Sequence, residues 1–485
     1  MGDNRLLTPG QTCWQVARAD RFACIIDAAD YFKHVKAAML GAQHRIMLIA
    51  WDLDARMTFE RGAKVLPGPN QLGVFLLWLL RERPGLEIYL LKSNLRLLPA
   101  FGGIWNGLTP VSLLNQISSK RIHFAVDGAH PVGSVHHQKI VVVDDVVAFC
   151  GGIDLTVNRW DTRAHQHDSR GRRTLRRSYG PRHDVGGAVE GAAAGKLAEQ
   201  ARLRWRIATK QRLEPLDTVR PAWPRDLAPT LRNVDVGIAR TLPELEDRKE
   251  VREVEALNLT AIAAAADTIY LENQYLASRR IVDALAARLR EPAGPEVVVV
   301  LARRGNNPIE RGTMDSARHK VIQLLWAADD HGRLGIYWPA TDRGAPIYVH
   351  SKVLVVDDRL LRIGSSNLNN RSLGFDSECD IAVEAKPGGS QCVEINHQIR
   401  LVRDELVSEH LGVSVTELNE AIGRSGSLLK AIEQLRGKGR TLRRITGRTV
   451  SSEAGPLAEN DLVDPDHVPR SLTRGLQRLI AELRD

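Results

Sequence analysis

Apolar positions along this chain follow two rhythms that alternate with one another. "CIIDAADYFKHVKAAMLGAQ" (24–43) spaces them at helical period, and "RIMLIAWDL" (45–53) packs them into a run of strand length. A helix near 70–82, the strand "LEIYLLK" (86–92), a helix-like stretch near 105–118 and an apolar strand that carries His137 complete this first series. A second series repeats it: helix 251–266, strand "TIYLENQYL" (268–276), helix 279–289, strand "EVVVVLA" (296–302), helix 317–328, strand "LGIYW" (334–338), then His350. Strands alternating with helices predict an α/β protein of two lobes, each a mostly parallel sheet flanked by helices.

Between the series, residues 212–232 hold Pro215, Pro221, Pro224 and Pro229, which fits neither a helix nor a central strand. The expected domains are an N-terminal lobe over 1–211, a Pro-rich linker over 212–236, a C-terminal lobe over 237–412 and a helical, basic tail over 413–485. Ser414 and Glu417 stand at capping-box spacing and open a tail helix, whereas the basic 436–448 reads as a solvated segment.

The two lobes share more than rhythm. Subtracting 213 from His350, Lys352, Asp357, Gly364 and Asn367 lands on His137, Lys139, Asp144, Gly151 and Asp154, in register and without insertion. Side chains two apart on a strand share a face, so each histidine projects with its lysine. Asp144 and Asp357, seven residues on, fall on the other face, where carboxylates tie down turns or neighbouring backbone. A histidine–lysine pair presented twice suits phosphodiester chemistry. Lysines offset charge on the non-bridging oxygens, one imidazole attacks phosphorus and the other donates to the leaving alkoxide. Each imidazole needs an acid on its far nitrogen: Glu378 is the candidate for His350 and Asp184 for His137, because both acids precede the similar runs "AVEA" and "AVEG" by one interval. Asp154 and Asn367 either cap turns or bind phosphate or lysine at the rim.

Composition narrows the partners. Net charge is +9, from 67 Lys+Arg against 58 Asp+Glu, which favours polyanions: nucleic acid, an anionic membrane surface or phosphate-bearing substrates. The five cysteines are odd in number and lack metal-ligand spacing, so reduced, mostly buried thiols are expected. His165-x-His167 has the look of a metal pair, but no third ligand is evident and no metal is expected. The surrounding 161–184, with seven arginines and three histidines, reads as a solvated surface loop or a holder of anionic head groups. Trp105 is a candidate for an acyl-chain groove or for the lobe core. No apolar run reaches the ~18–20 residues of a bilayer span, and "MGDNRLLTPG" lacks a secretory core, so a cytoplasmic location with peripheral membrane contact is expected.

The motif H-x-K-x4-D followed by "GGIDL" or "GSSNL" resembles the phospholipase D superfamily. "HHQKIVVVD", "AFCGGIDLTVNRWDT", "RHDVGGAVEG", "ENQYL", "NNRSLGFDSE" and "SEHLG" make the likeness, over roughly 20–412, one to phospholipase D proper of the phosphatidylcholine type. That resemblance implies lobes related by a pseudo-twofold axis, one active site between them, no cofactor or catalytic metal, and a phosphohistidine intermediate. It makes His137 the nucleophile and His350 the general acid and then base, with phospholipid as substrate, hydrolysed or transferred to an alcohol. A cardiolipin-type synthase and a nuclease of the same motif are the alternatives, though nucleic acid is the less expected partner.

Overall fold

The computed structural model describes residues 5–93, 120–174, 177–217, 222–305, 316–447 and Asp464. The helix-like stretch near 105–118, with Trp105, lies outside them. In the first half the strands are β1 (Gln15–Ile26), β2 (Arg45–Ala50), β3 (Glu87–Ser93), β4 (Ile122–Asp127), β5 (Ile140–Val143), β6 (Val147–Gly151), β7 (Arg182–His183) and β8 (Val185–Glu190). The second half supplies β9 (Leu231–Leu242), β10 (Val251–Arg252), β11 (Thr268–Asn273), β12 (Glu296–Leu301), β13 (Leu334–Ala340), β14 (Tyr348–Val349), β15 (Val353–Val356), β16 (Leu360–Gly364), β17 (Glu378–Glu384) and β18 (Thr441–Arg444).

All but β7 and β14 form one continuous sheet, in the order β18-β13-β12-β11-β15-β16-β17-β9-β1-β8-β6-β5-β2-β3-β4, with β10 beside β9. The order is a palindrome about the β9–β1 pair: β13 answers β4, β11 answers β2, β15 answers β5 and β17 answers β8. A pseudo-twofold axis therefore passes between two antiparallel central strands. The α/β class and the paired halves match expectation, but the pairing within each half is mixed. Only β2-β3-β4 and β11-β12-β13 run parallel, while β1, β5, β6 and β8 and their counterparts pair antiparallel. Hairpins such as β5–β6 leave no room for a crossover helix, so the inner strands cannot be parallel.

Helices cover both faces. α1 (Ala28–Gly41) and α2 (Leu72–Glu82) pack on one side of the first half, and α4 (Glu253–Ala264), α5 (Arg279–Arg290) and α6 (Ser316–Ala328) on the same side of the second. The opposite side is covered by α3 (Ala192–Thr209) and α7 (Cys392–Leu411), with α8 (Val415–Ser425) and α9 (Leu428–Leu435) beyond. Strand alternation sorts the core: Ile46 and Leu48 face α1 and α2, whereas Met47 and Ile49 face the shared layer. Ser414 caps α8 with the expected box to Glu417.

Three local expectations change. Residues 24–26 end the long strand β1 rather than begin a helix, because Ile25 and Ile26 pair with Gly186 and Val185 before α1 starts at Ala28. Strand β9 begins at Leu231, inside the stretch read as linker. Residues 441–444 of the basic tail form an edge strand on β13, burying Thr441 and Leu442 and turning Arg443 and Arg444 outward. The cysteines are all free, with Cys13, Cys150 and Cys379 buried. Among the described residues no helix is long and apolar enough to cross a membrane.

Candidate active site

His137 and Lys139 sit just before β5, and His350 and Lys352 just before β15, in irregular backbone rather than in the strands themselves. Each segment is held by the opposite half. His137 N donates to Ser377 O at 2.9 Å and Ser377 N to Val135 O at 3.1 Å. In the symmetric position, β14 pairs with β7, and His350 N donates to His183 O at 2.8 Å. This crossing sets the acids. His137 Nδ1 lies 3.0 Å from both carboxylate oxygens of Glu378, and His350 Nδ1 lies 2.7 Å from Asp184 Oδ2. The two acids are the expected ones, but their partners are exchanged: Glu378 serves His137 and Asp184 serves His350. The reason is geometric. Each acid stands at the start of the second strand from the axis in its own half (β8 or β17), so it meets the histidine that arrives from across that axis.

A carboxylate on Nδ1 fixes each ring so that Nε2 faces the site. The lysines complete a single cluster. Lys139 Nζ donates to His137 O at 2.9 Å and lies 3.3 Å from Asp154 Oδ2. Lys352 Nζ donates to His350 O and, at 3.3 Å, to Gln274 Oε1. Burial, then the charges of Lys139 and Lys352, holds His137 well below the usual imidazole range. Burial also holds His350 well below it, joined by Lys352, Arg159, Arg182 and Lys139. Both lysines are thus felt at both imidazoles, as one shared site requires. Burial pushes Glu378 well up against the opposing charge of Lys139, raises Asp184 against that of Lys352, and pulls Lys352 down.

Positions 152 and 365 correspond in the duplication but differ in residue. A Cβ at Gly152 would come within 2.2 Å of Asp184 Oδ1, so only glycine leaves Asp184 its place. Its counterpart Ser365 donates its hydroxyl to Glu378 Oε2 at 2.5 Å. Asn367, the counterpart of Asp154, is buried with its Oδ1 free of hydrogen bonds.

Asp144 and Asp357 stand apart from this cluster. Asp144 accepts from the backbone N–H groups of Gln43, His44 and Arg45, at 2.7–2.8 Å, and Asp357 from those of Ala266, Asp267 and Thr268, at 2.8–3.0 Å. Both adopt a left-handed φ of 51° at the turn. They tie the helix-to-strand corner before β2 and before β11, and they touch neither imidazole nor lysine.

The 161–184 stretch is only in part the solvated loop expected: Arg163, Arg170, Arg173 and Arg177 are exposed, but other members turn inward. Arg172 is buried against Asp161, and His165 and His183 are buried in a second cluster with Asp27, Glu272, Glu409 and His410. His167 instead meets Thr341 Oγ1 at 3.2 Å. Arg182 lies over Tyr348, 4.7 Å from the ring centre. With Tyr179, Arg303 and Arg304 it lines a recess of about 290 Å³ that opens beside the His350 segment.

The family description "Cardiolipin synthase, PLD-like domain" matches residues 259–400. Phospholipase D A of Dictyostelium discoideum is 23% identical across 80% of this chain and 35% of its own length. Phospholipase D alpha 4 of Arabidopsis thaliana is 23% identical across 85% of this chain and 66% of its own. The chain thus spans about a third to two-thirds of the length of these relatives. Among solved structures, the phosphatidylserine synthase of Haemophilus influenzae Rd KW20 shares the fold, with a TM-score of 0.56 at 12% identity over 97% of this chain and 95% of that one.

Proposed function

We propose that this chain, which resembles the phospholipase D superfamily in sequence and fold, is a phosphodiesterase that cleaves phospholipids through a phosphohistidine. The observation that carries the reading is the pair of crossed imidazole–carboxylate contacts, with two lysines whose charge reaches both rings. In the first step the Nε2 lone pair of His137 attacks phosphorus. A P–N bond forms, the P–O bond to the head-group alcohol breaks, and protonated His350 passes its Nε2 proton to that oxygen. Water then attacks the same phosphorus, His350 takes its proton, the P–N bond breaks, and phosphatidic acid leaves.

The electrostatics suit this order. His137 is held neutral, as a nucleophile must be. His350 is held down chiefly by burial, with nearby cations adding to it. A bound phosphodiester anion offsets those cations, so substrate arrival favours the proton that the acid must donate. Lys139 and Lys352 meet the charge that develops on the non-bridging oxygens, each for about 3–4 kcal/mol of barrier. The arginine-lined recess at Arg182 supports a substrate rich in anionic groups and peripheral contact with an anionic membrane.

The second product depends on the acceptor. The match to a cardiolipin synthase description supports a reading in which an alcohol replaces water at the same phosphoenzyme. The test is a panel of phospholipids incubated with the protein, with and without ethanol or glycerol, and read by mass spectrometry. Phosphatidic acid in water and phosphatidyl-alcohol in alcohol, both lost in His137→Ala, are expected. Turnover of DNA with no lipid product would overturn the lipid reading.

A further inference from the structure

Behind His350, four side chains from four separate segments converge in the interior. His165 Nε2 lies 3.2 Å from Asp27 Oδ2 and 3.2 Å from Glu409 Oε1. His183 Nδ1 lies 3.2 Å from Asp27 Oδ1 and 3.1 Å from Glu409 Oε1. One donor atom from each of the four lies within 4.8 Å of the others, and all four residues are buried. Two imidazole nitrogens and two carboxylate oxygens are a donor set that zinc takes. Ligands at ~2.0–2.1 Å around a tetrahedral ion stand about 3.3–3.4 Å apart, close to the separations seen here.

Two features go beyond the proximity of four groups. First, each imidazole has a carboxylate on its outward nitrogen. His165 Nδ1 meets Asp161 Oδ2 at 3.1 Å, and His183 Nε2 meets Glu272 Oε2 at 2.9 Å. Those carboxylates are themselves held, Asp161 by Arg172 at 3.2 Å and Glu272 by the Tyr270 hydroxyl at 2.6 Å. Such outer carboxylates place the ring proton outward and leave the inner nitrogen as a ligand. Second, Asp27 Oδ2 is buried and points into the cluster, where its 3.2 Å contact with His165 Nε2 is not aligned as a hydrogen bond. In an ion network that oxygen faces the charge of His165 without an aligned hydrogen bond, whereas a cation would take it as a ligand.

We propose that Asp27, His165, His183 and Glu409 form a binding site for a divalent transition cation of the zinc type, separate from the phosphodiester site. Its role is positional. Asp27 N donates to Asp184 O at 2.8 Å and Asp184 N to Asp27 Oδ1 at 3.1 Å, while His183 adjoins Asp184 in the chain. A cation held by Asp27 and His183 fixes the backbone of Asp184, and through it the ring of His350. It also joins the 161–184 stretch to α7.

The test is metal analysis of the full chain, purified without a metal-affinity step, before and after dialysis against a chelator. About one equivalent of zinc or a similar metal per chain is expected. The stripped protein should unfold several degrees lower and recover on adding zinc alone. Cobalt added to it should give the intense visible absorption of a tetrahedral site. His165→Asn and Glu409→Gln should each abolish stoichiometric metal. Should either variant fail to fold, the zinc and cobalt titrations of stripped wild-type protein decide. Metal below about a tenth of an equivalent, with no thermal shift and no cobalt spectrum, would overturn the site and leave a buried ion network. These readouts do not depend on lipid turnover, so failure here and failure of the phosphodiesterase reading are told apart.

Discussion

Glu378 places both carboxylate oxygens 3.0 Å from Nδ1 of His137, a residue 241 positions earlier in the other half of the chain. Asp184 Oδ2 holds Nδ1 of His350 at 2.7 Å across 166 positions. Neither half can therefore orient its own histidine. Glu378→Gln removes the acceptor that selects the Nδ1–H tautomer, and an amide nitrogen in its place favours the wrong one. The expected loss in kcat is on the order of 10²–10⁴-fold, with KM little changed. Asp184→Asn should act likewise on His350. If the two acids served the histidines of their own halves, single-turnover phosphoenzyme formation from a substrate whose leaving group needs no proton would fail in Asp184→Asn and survive in Glu378→Gln. The crossed contacts make Glu378→Gln the variant that slows formation of the phosphoenzyme from such a substrate.

Asp144 and Asp357 belong to the repeated motif, yet they act on stability. Each accepts three backbone N–H groups at a corner, and removal strands them. Asp144→Ala should cost about 3 kcal/mol in denaturant unfolding. Asp357→Ala should cost less, because its corner is more open to water. Activity per folded molecule should stay within a few-fold of wild type. A large fall in activity at unchanged stability would place these carboxylates in the chemistry after all.

Gly152 gives a test of packing at the site. A methyl group there would press on Asp184 Oδ1 and stand 3.2 Å from His350 O. Gly152→Ala is expected to lower kcat at least tenfold by moving the acid off His350, since displacements of an ångström cost about that much or more. Ser365→Gly, at the duplicated position, should be milder, because it removes one hydrogen bond to Glu378 and displaces nothing. Equal effects from the two would mean that the glycine does not make room for the acid.

The duplication made most of this site readable. His137, Lys139, His350 and Lys352 repeat at one offset, and Glu378 and Asp184 precede similar strands. What register could not show was which acid meets which histidine, because that depends on the sheet being continuous through β1 and β9. Those two strands carry no chemistry, and β1 was partly masked by the helical pattern that follows it. The second cluster stayed hidden for a related reason. His165, His183, Glu272 and Glu409 come from segments far apart in sequence, and His165 was read beside His167, which points elsewhere. "ENQYL" and "SEHLG" carried two of these residues without any spacing that announced a role. Among the arginines of 161–184, Arg163, Arg170, Arg173 and Arg177 are exposed as expected, but Arg172 and Arg182 are buried, and burial by ion pairing, as at Arg172 with Asp161, leaves no apolar signature.

The pH dependence follows from the same burial. For the free protein, kcat/KM requires His137 neutral, His350 protonated and Lys352 charged. Burial and two neighbouring ammonium groups hold the His137 pKa well below 6.5. The acid limb is therefore expected below pH 6.5, since the ring gains its inactivating proton only there. Burial holds His350 well below 6.5 as well, so the alkaline limb of kcat/KM belongs to that ring and falls before Lys352, itself pulled down from 10.5, discharges. In kcat, which reports the substrate complex, that limb should move upward, because a bound phosphate stabilises the imidazolium. Lys352→Arg provides the check: a guanidinium does not discharge in this range, so a limb set by His350 should remain in whatever activity is left. A limb that disappears in Lys352→Arg would assign it to the lysine instead.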